Sequence, residues 1–421
     1  MKTSRFGIRV NFGPLLIILC FWGFTYGLYI SDIVLKYPER NDFLLFLYVT
    51  VCSASLVFGY LFGIAVKVKP ADPINSKTIA FVGFFSIIVL FVPIVYVYTG
   101  SGLGQFFELL TSPAAAYNSM QEAVSEGREQ RLPIILSKIV LSPFIVAALP
   151  YFAFQFFRYK RHKYLLLSLI FLSISMSVFR GTDKEIFDAF IILFAVFISA
   201  KPNIFRMRFF NIKFMRSIVL LSLSIVLVLS VFSFRKSERL EAATTLCFKG
   251  TEICNSVDPI GDPVGFGGYM LVRYLTQGYY GLAVAFDAEF ESGFGMGHSR
   301  PLQFLGGKVF GLDFSGNVVG QLDSLGWASK GLWSSGFVWL ANDVPISFVP
   351  VLILMVAFLV GRAWKQVISD ESFVSLIIFV YLFFTLVYMP ANLQLAQSGD
   401  LYLGFLFWLI YSIVRPSRIK I

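Results

Sequence analysis

The chain has few charged residues and very little histidine. Asp, Glu, Lys and Arg together make up 14% of its 421 residues, and only two residues are His. Hydrophobic residues account for 57% and aromatic residues for 17%. A soluble globular domain has about 25% charged residues, so this composition excludes one. It indicates instead a chain that lies mostly in lipid.

Ten apolar runs along the chain are candidates for membrane-spanning helices. A helix needs about 20 residues to cross roughly 30 Å of hydrocarbon, so the two short runs beside Arg180 fit only if they tilt or include flanking aromatic residues. The predicted spans are residues 12–30, 43–66, 78–98, 133–157, 164–179, 186–200, 217–234, 346–361, 372–390 and 401–414. The first follows three basic residues and lacks a small-residue cleavage site, which favours an uncleaved helix over a signal peptide.

Basic residues are concentrated on one side of these spans. The linkers on that side hold 20 of the 35 Lys and Arg residues and three acidic residues, whereas the rest of the chain holds 15 basic and 22 acidic residues. These linkers are residues 1–11, 67–77, 158–163, 201–216, 362–371 and 415–421. Because short loops rich in Lys and Arg stay in the cytoplasm, we expect both termini there. The net charge of +10 therefore reflects topology and does not indicate a nucleic-acid partner.

Two long segments lie on the other, exterior side. Residues 99–132 begin with a glycine-rich turn and continue as an amphipathic Gln-Phe-Phe-Glu-Leu-Leu, which suits the headgroup region. Residues 235–345 form about a quarter of the chain, too much for a passive connection. The predicted fold is a single integral membrane domain over residues 1–421. It is an all-α polytopic membrane protein with about ten transmembrane helices, both termini cytoplasmic, and interfacial helices in two long exterior loops.

Four cysteines divide into two pairs. Cys20 and Cys52 lie inside predicted spans, where a free Cys behaves as a small apolar residue. Cys247 and Cys254 lie in the second exterior loop, separated by six residues. In an oxidising compartment the second pair can close a small disulfide. The spacing is not a zinc signature and no His accompanies it, so we predict the disulfide and no metal.

The second exterior loop becomes apolar and aromatic from Gly267 onward but stays too polar to span a membrane. On a helix, Arg273, Gln277 and Tyr280 fall at i, i+4 and i+7 and therefore share one face. This pattern predicts an interfacial helix that presents a cation, an amide and a phenol. Arg273 can equally extend from such a helix toward lipid phosphates.

A glycine-rich segment follows, Ser-Gly-Phe-Gly-Met-Gly-His-Ser-Arg-Pro. Its glycines could present backbone N–H groups to a phosphate, although ordinary turns explain them equally well. His298 is the candidate general base or phosphate contact, with a structural role as the alternative. Arg300 is a candidate ligand for an anion. The other histidine, His162, lies in a basic linker and adds charge there.

These features resemble the Wzy-type O-antigen polymerases, the repeat-unit polymerases of bacterial surface polysaccharide. The resemblance covers most of the chain in architecture: about ten spans, 48 Phe residues and a large loop before the last three spans. It is specific only around residues 268–300, in the strings Tyr274 to Gly281 and Phe294 to Ser299. Residues 180–185, Arg-Gly-Thr-Asp-Lys-Glu, are similar to a short exterior turn between two middle spans of that family.

The resemblance implies an inner-membrane enzyme with its active site facing the periplasm. It would move a glycan from one undecaprenyl-pyrophosphate carrier to the end of another carrier-linked repeat unit, in contact with membrane lipid and possible partners such as a flippase and a chain-length regulator. An acceptor hydroxyl attacks the anomeric carbon while a lipid pyrophosphate leaves, so the site needs cations or N–H groups and a base. No cofactor is expected, and the lack of a nucleotide-binding motif agrees with a lipid-linked donor.

The site residues follow from this chemistry. Arg180 and Arg273 are expected near the outer membrane surface, where the reacting bond of the carrier lies; for Arg180 the alternative is a local salt bridge with Asp183 or Glu185. An arginine at that depth costs energy unless it is paired. The catalytic candidates are His298, Arg273 and Arg180. The substrate-binding candidates are Arg300, Gln277, Tyr280, Tyr274, Asp183 and Glu289.

An acidic alternation precedes the glycine-rich segment. Asp287, Glu289 and Glu291 could form a metal site or paired carboxylates for glycosyl chemistry. On a helix they do not converge on one face, although on an extended segment they would, and no His is adjacent. We favour an ordinary polar segment, with Glu289 as a secondary candidate for the base.

Three other functions remain open. A ligase that moves the finished glycan to a lipid A core needs nearly the same parts. A lipid-linked oligosaccharide flippase or other transporter has a similar number of spans but short loops and functional charges inside them, and here only Lys138 lies clearly within a span. A structural or chain-length partner would not need Arg and His at the membrane surface. The long second loop favours the enzyme.

Overall fold

The fold is helical, with one small β-hairpin. The computed structural model describes residues 8–67, 74–100, 102–125, 131–206, 237, 245–247, 254–258, 261–329 and 331–414. The helices are α1 (Ile8–Ile30), α2 (Asp42–Ala65), α3 (Ser76–Thr99), α4 (Phe106–Thr111), α5 (Pro113–Ser125), α6 (Arg131–Tyr159), α7 (Lys163–Phe179), α8 (Lys184–Ala200), α9 (Pro263–Ala285), α10 (Arg300–Phe310), α11 (Val318–Gln321), α12 (Gly336–Leu340), α13 (Val349–Asp370), α14 (Phe373–Tyr388) and α15 (Gly399–Val414). The strands β1 (Thr245–Cys247) and β2 (Cys254–Ser256) pair antiparallel. Short 3-10 helices cover Leu103–Gln105, Pro202–Arg206, Ile346–Phe348 and Gln394–Gln397.

Within the described residues, five helices are long and apolar enough to cross a membrane: α1, α2, α3, α6 and α13. Three shorter apolar helices, α7, α14 and α15, contain 16 or 17 residues. The all-helical class predicted from the sequence is therefore confirmed, and the chain has the helices of a membrane protein. The predicted span 217–234 lies outside the described residues, and the number of ten spans stays a prediction.

Glycines bring the long helices into close contact. At Gly59 and Gly63 of α2, a Cβ atom would overlap the carbonyl oxygens of Leu354 and Phe358 in α13. Gly83 of α3 is just as close to the backbone of Phe144 in α6. Helices in lipid associate through such small residues because apolar side chains gain little by leaving a lipid environment. Glycine therefore sets the spacing of the helical body.

The centre of the body is α14. Thirteen consecutive residues of this helix, Val374 to Leu386, are buried. It packs against α1, α6, α8, α13 and α15. A helix that is apolar on every side belongs in the interior of a bundle, so the unbroken apolar run of α14 explains its position.

Polar contacts gather the helix termini at two ends. At the first, called the site end, Lys138 of α6 lies 3.0 Å from Asp400 of α15. At the second, called the basic end, Arg158 of α6 lies 3.1 Å from Glu371, which follows α13. Lys365 of α13 donates there to the carbonyl of Ile64 near the end of α2. The ends of α2, α6 and α13, which border three of the basic linkers, therefore meet at the end of α6 opposite to Lys138.

Helix α9 exists as predicted, and other elements cover it on several sides. It packs against α1, α2 and α12, and Gln277 and Tyr280 are buried. Leu282, on another side of the helix, is buried as well. A Cβ atom at Gly278 would overlap the carbonyl oxygen of Pro390, so backbone passes directly over the helix. Because α9 is covered on several sides, it is part of the helical body.

Candidate functional site

A partly buried carboxylate organises the glycine-rich turn before α10. Asp343 accepts hydrogen bonds from the backbone N–H groups of Gly297, at 2.8 Å, and His298, at 2.9 Å. A Cβ atom at Gly293 would lie 2.7 Å from the Asp343 carboxylate and 2.6 Å from the Cα of Gly297. Glycine at these positions thus lets the turn close around a side chain of the protein, and these two N–H groups are engaged by Asp343.

Asp343 also holds the ring of His298. The carboxylate oxygen Oδ2 lies 2.6 Å from Nδ1 of His298, and Nε2 of the same ring is hydrogen-bonded to the hydroxyl of Tyr402. A carboxylate on Nδ1 keeps the proton on that nitrogen, which leaves Nε2 as the acceptor when the ring is neutral. The three side chains, Asp343, His298 and Tyr402, are called the Asp-His-Tyr cluster below.

Two opposing effects set the pKa of Asp343. Burial of the carboxyl group would raise it. The hydrogen bonds from the His298 ring and from the N–H groups of Gly297 and His298 favour the ionised form and outweigh burial, so the pKa of Asp343 lies below its usual range. At neutral pH the cluster therefore contains a carboxylate beside the imidazole.

The start of α15 fixes the position of Tyr402. Lys138 pairs with Asp400, and Lys184 of α8 donates to the hydroxyl of Ser398 at 2.8 Å. The carbonyl of Ser398 accepts the Tyr402 N–H at 2.9 Å. On the other side, the hydroxyl of Ser299 donates to the carbonyl of Ala396 at 2.7 Å. These bonds join α6, α8 and the glycine-rich turn to the first turn of α15.

A cavity of about 300 Å³ adjoins the glycine-rich turn. The guanidinium of Arg300 lies 5.5 Å from the ring centre of Trp339 in α12, within range of a cation–π interaction. Among the residues that the structure describes, Arg300 has no hydrogen bond or ion pair. The cavity is lined by Arg300, Gln303, Phe314, Val319, Gly320, Ser329, Trp339 and Asn342.

The cavity and the Asp-His-Tyr cluster share a wall. Asn342 and Gln303 line the cavity, and both donate to the carbonyl of Gly297, at 2.8 and 2.6 Å. Gly297 directly precedes His298, and Asn342 directly precedes Asp343. The site therefore combines an unpaired cation, an indole face and a histidine held by a carboxylate, which together suit binding of an anion and transfer of a proton.

Arg180 is engaged in its own turn. Its guanidinium forms an ion pair with Glu185, which also accepts from the hydroxyl of Thr182 at 3.0 Å. Gly181 has φ 58° and packs against the backbone of Pro113. Asp183 stands at the N-cap position of α8. The structure thus has the local salt bridge that was the alternative to diphosphate binding.

Arg273 lies beside the β-hairpin. Its guanidinium donates to the carbonyl of Cys247 at 3.4 Å, and Cys247 is joined to Cys254 by a disulfide between β1 and β2. The ring of Tyr274 packs against Trp333 with centroids 5.0 Å apart. No contact that the structure describes joins Arg273 to His298, so the predicted cation of α9 is not part of the Asp-His-Tyr cluster.

Gln277 and Tyr280 lie in an aromatic region of the helical body. Tyr280 stacks on Tyr37 with centroids 5.4 Å apart and meets Trp327 edge to face at 5.3 Å. The hydroxyls of Tyr37 and Thr276 are 3.0 Å apart. Both predicted side chains are buried, so their environment is that of packing residues.

The acidic alternation does not act as one group. Asp287 pairs with Arg40 at 2.8 Å and accepts from the side chain of Asn41 at 2.9 Å. Glu289 is exposed. Its backbone N–H donates to Oε1 of Gln321 at 3.0 Å, and its carbonyl accepts from Nε2 of the same side chain at 2.8 Å. Within the described ranges, no cluster of three His, Cys, Asp or Glu residues is placed to hold a metal ion.

Sequence reasoning found His298 and Arg300 but missed four of their neighbours. Asp343 and Tyr402 are 45 and 104 residues away from His298 along the chain. Trp339 and Asn342 lie close to Asp343 in sequence. The one signal available was the polar pair Asn342-Asp343 just before the eighth predicted span.

Comparison of the chain with protein-family models, with curated proteins and with solved structures finds no match.

Proposed function

We propose that this protein transfers glycan chains between lipid-diphosphate carriers at the outer face of a bacterial inner membrane, and that it is a polymerase of O-antigen or related repeat units. The observation that carries the proposal is the Asp-His-Tyr cluster beside the cavity of Arg300, in a chain built of apolar helices. The reaction requires a base for a sugar hydroxyl and a cation for a leaving diphosphate. The geometry supports His298 as the base and Arg300 as the cation.

His298 serves as the base. Asp343 orients the ring and stabilises the imidazolium that forms when Nε2 accepts a proton, as a carboxylate does in other carboxylate-histidine pairs. The hydroxyl of Tyr402 is hydrogen-bonded to Nε2 in the resting site. The acceptor hydroxyl either displaces this phenol or passes its proton through it, and in both cases the proton ends on Nε2.

Arg300 binds the departing diphosphate. Its guanidinium has no carboxylate partner among the described residues, so its charge is available for an anion. Arginine suits phosphate oxygens because its planar donors can form two parallel hydrogen bonds. The face of Trp339 keeps the guanidinium in position and also suits stacking against a sugar. Arg180 and Arg273 become secondary candidates because each already has a protein partner.

The proposed topology has ten spans with both termini in the cytoplasm. The basic end would face the cytoplasm, since Lys and Arg are retained there. The site end, with residues 235–345, would face the periplasm. The carrier keeps its tail in lipid, so a site beside the first turn of α15 lies at a suitable depth. The ion pair of Lys138 and Asp400 lies near that turn and would be at the same depth in the membrane.

A flippase for lipid-linked oligosaccharides is the second candidate. The charges that favour it lie in the helices: the pair Lys138 and Asp400, and the buried Asp188 of α8, which accepts from Tyr388 at 2.9 Å. Charged groups inside spans are typical of transporters. A ligase would use the same cluster as the polymerase and differs only in its acceptor.

The lipopolysaccharide ladder of cells lacking this chain tests the proposal. Deletion should leave core plus one repeat unit, and wild type should restore the full ladder. Loss of all O-antigen from the core, with polymer accumulating on the carrier, would identify a ligase instead. Loss of all O-antigen with no polymer on the carrier would favour the flippase, and an unchanged ladder would contradict all three functions. Asp313→Asn, a change at an exposed carboxylate, serves as the expression-matched control.

A further inference from the structure

Helix α10 has two different faces. One face carries Arg300 and Gln303 to the cavity, and Gly306 on that side is buried against Met296 and Phe314. The side of the helix opposite to Arg300 carries Leu305 and Val309, four residues apart, and it is apolar and open. These side chains are exposed to 47% and 61%, and the flanking Phe304 and Phe310 are exposed to 69% and 62%.

Water is a poor environment for that open face. Fully burying a Leu, Val or Phe side chain is favourable by about 1.5–3 kcal/mol of free energy. Four such side chains left in water on an 11-residue helix are therefore unfavourable. Surface helices with one polar and one apolar face commonly lie in the membrane interface. Lys308, exposed among these residues, can reach the headgroups along its methylene chain.

The position of α10 matches that environment. The Ser299 hydroxyl, directly before α10, bonds to Ala396, and a Cβ atom at Gly399 would lie 3.4 Å from the ring of Pro301. Helix α10 therefore starts at the site end of α15. Apolar residues of α15 further along, among them Phe407 and Ile410, are exposed as in a lipid-facing helix. The start of α10 therefore lies at the end of a helix whose sides suit lipid, which is the depth of a membrane interface.

We propose that α10 lies in the outer membrane interface, with Leu305 and Val309 in the acyl region and Arg300 and Gln303 turned to the cavity. The occupant of the open face is the phospholipid bilayer. One helix then anchors the site to the bilayer and holds its unpaired cation at headgroup depth. The cavity beside Arg300 would receive its ligand from the membrane surface, a consequence that rests on the proposed function.

Spin-label accessibility tests the position of α10 in the full chain, reconstituted in phospholipid nanodiscs. Cys20 and Cys52 are replaced by Ala, and the disulfide-bonded cysteines stay. Single cysteines replace Leu305 or Val309 and carry a nitroxide. The matched control is Asp313→Cys, an exposed position just after the helix. Collision with dissolved oxygen reports lipid, and collision with a water-soluble nickel chelate reports water.

The oxygen-to-nickel accessibility ratio at positions 305 and 309 should exceed that at position 313 by at least about twofold, as expected for an interfacial apolar face. Equal ratios at all three positions would overturn the proposal. Low accessibility to both reagents, with spin–spin broadening between labelled chains, would assign the face to a second copy and would also overturn it. These readouts need no substrate, so they stand apart from the proposed function.

The double variant Leu305→Glu/Val309→Glu tests delivery from the membrane. It should shorten the lipopolysaccharide ladder at expression matched to wild type, because α10 would no longer be held at the bilayer. A full-length ladder despite a confirmed lipid position of α10 would overturn the delivery step. If His298→Ala leaves the lipopolysaccharide ladder at full length, the proposed function itself is overturned instead.

Discussion

The two regions nominated by the sequence, α9 and the glycine-rich turn with α10, have opposite environments. In α9, the side chains of Tyr280 and Gln277 are buried and Arg273 bonds to a backbone carbonyl. At the turn, the His298 ring is held by Asp343 and Tyr402, and Arg300 has no hydrogen bond or ion pair in the described part of the chain. Both regions show aromatic and cationic residues in sequence. The difference lies in whether other elements cover them.

Helical spacing shows which residues share a face, but it does not show what covers that face. The face of α9 with Gln277 and Tyr280 is packed inside the helical body against Tyr37, Trp327 and the backbone of Pro390. The turn around Gly297 is organised by one carboxylate and leaves a cavity beside it. Changes in α9 should therefore affect stability, and changes at the turn should affect activity.

The largest effect is expected for His298→Ala. Removing a general base lowers a rate by about 10²- to 10⁴-fold, so the lipopolysaccharide ladder should collapse to core plus one unit. Asp343 keeps its two backbone N–H bonds in this variant, so the amount of folded protein should stay near wild type. A normal ladder from His298→Ala would contradict the claim that the turn, and not α9, is the chemically active region.

Tyr280→Ala should produce the reverse result. Truncating a buried aromatic side chain costs about 3–5 kcal/mol, and Tyr280 stacks on Tyr37 and Trp327. We expect a lower melting temperature in detergent, with activity per folded molecule unchanged. Tyr164→Ala is the control, because Tyr164 is 81% exposed and such changes stay within about 0.5 kcal/mol. An activity loss without loss of stability would place Tyr280 in the site.

Arg300→Ala and Arg273→Ala compare the two cations directly. Losing a hydrogen bond to a charged group costs about 1.5–3 kcal/mol, which corresponds to roughly 10- to 150-fold in turnover for Arg300→Ala. The unfolding temperature should change little, since among the described residues Arg300 has no hydrogen bond or ion pair and its one contact of this kind is with the ring of Trp339. Arg273→Ala should lower turnover less than Arg300→Ala. The reverse ranking, measured at equal expression, would move the anion site to α9.

The smallest effect concerns the pH dependence of stability. The folded pKa of Asp343 is below its usual range, so its ionised form stabilises the fold above the ordinary Asp pKa of about 3.9, and this contribution is lost as the pH falls through the lower, folded pKa. Wild type should exceed Asp343→Asn in unfolding free energy by about 1 kcal/mol at pH 7. The difference should shrink below about pH 4. A difference independent of pH would argue against an ionised Asp343.

Much of the fold could be predicted because it depends on local pattern. Apolar runs located the helices, including the central α14, and the spacing of Cys247 and Cys254 matches the two ends of the hairpin that their disulfide joins. The glycine-rich segment before His298 also marked the correct turn. These features need only neighbouring residues, so the sequence carries them directly.

The remaining features depend on distant contacts. Asp343 and Tyr402 meet His298 only because α12, α13 and α15 bring them to the same end of the bundle. The burial of α9 depends on Tyr37 and on the backbone near Pro390, which lie on other elements. The amphipathic surface helix is α10, whereas the sequence pattern had placed the interfacial helix at α9.

The most direct test of the central claim is elongation by the purified protein. The carrier-linked single repeat unit, extracted from cells that lack this chain, is incubated with wild type in nanodiscs and with His298→Ala and Asp313→Asn. Wild type and Asp313→Asn should form longer carrier-linked glycans, while His298→Ala should form at least about 10²-fold less. Equal elongation by His298→Ala, or no elongation by wild type, would contradict the account.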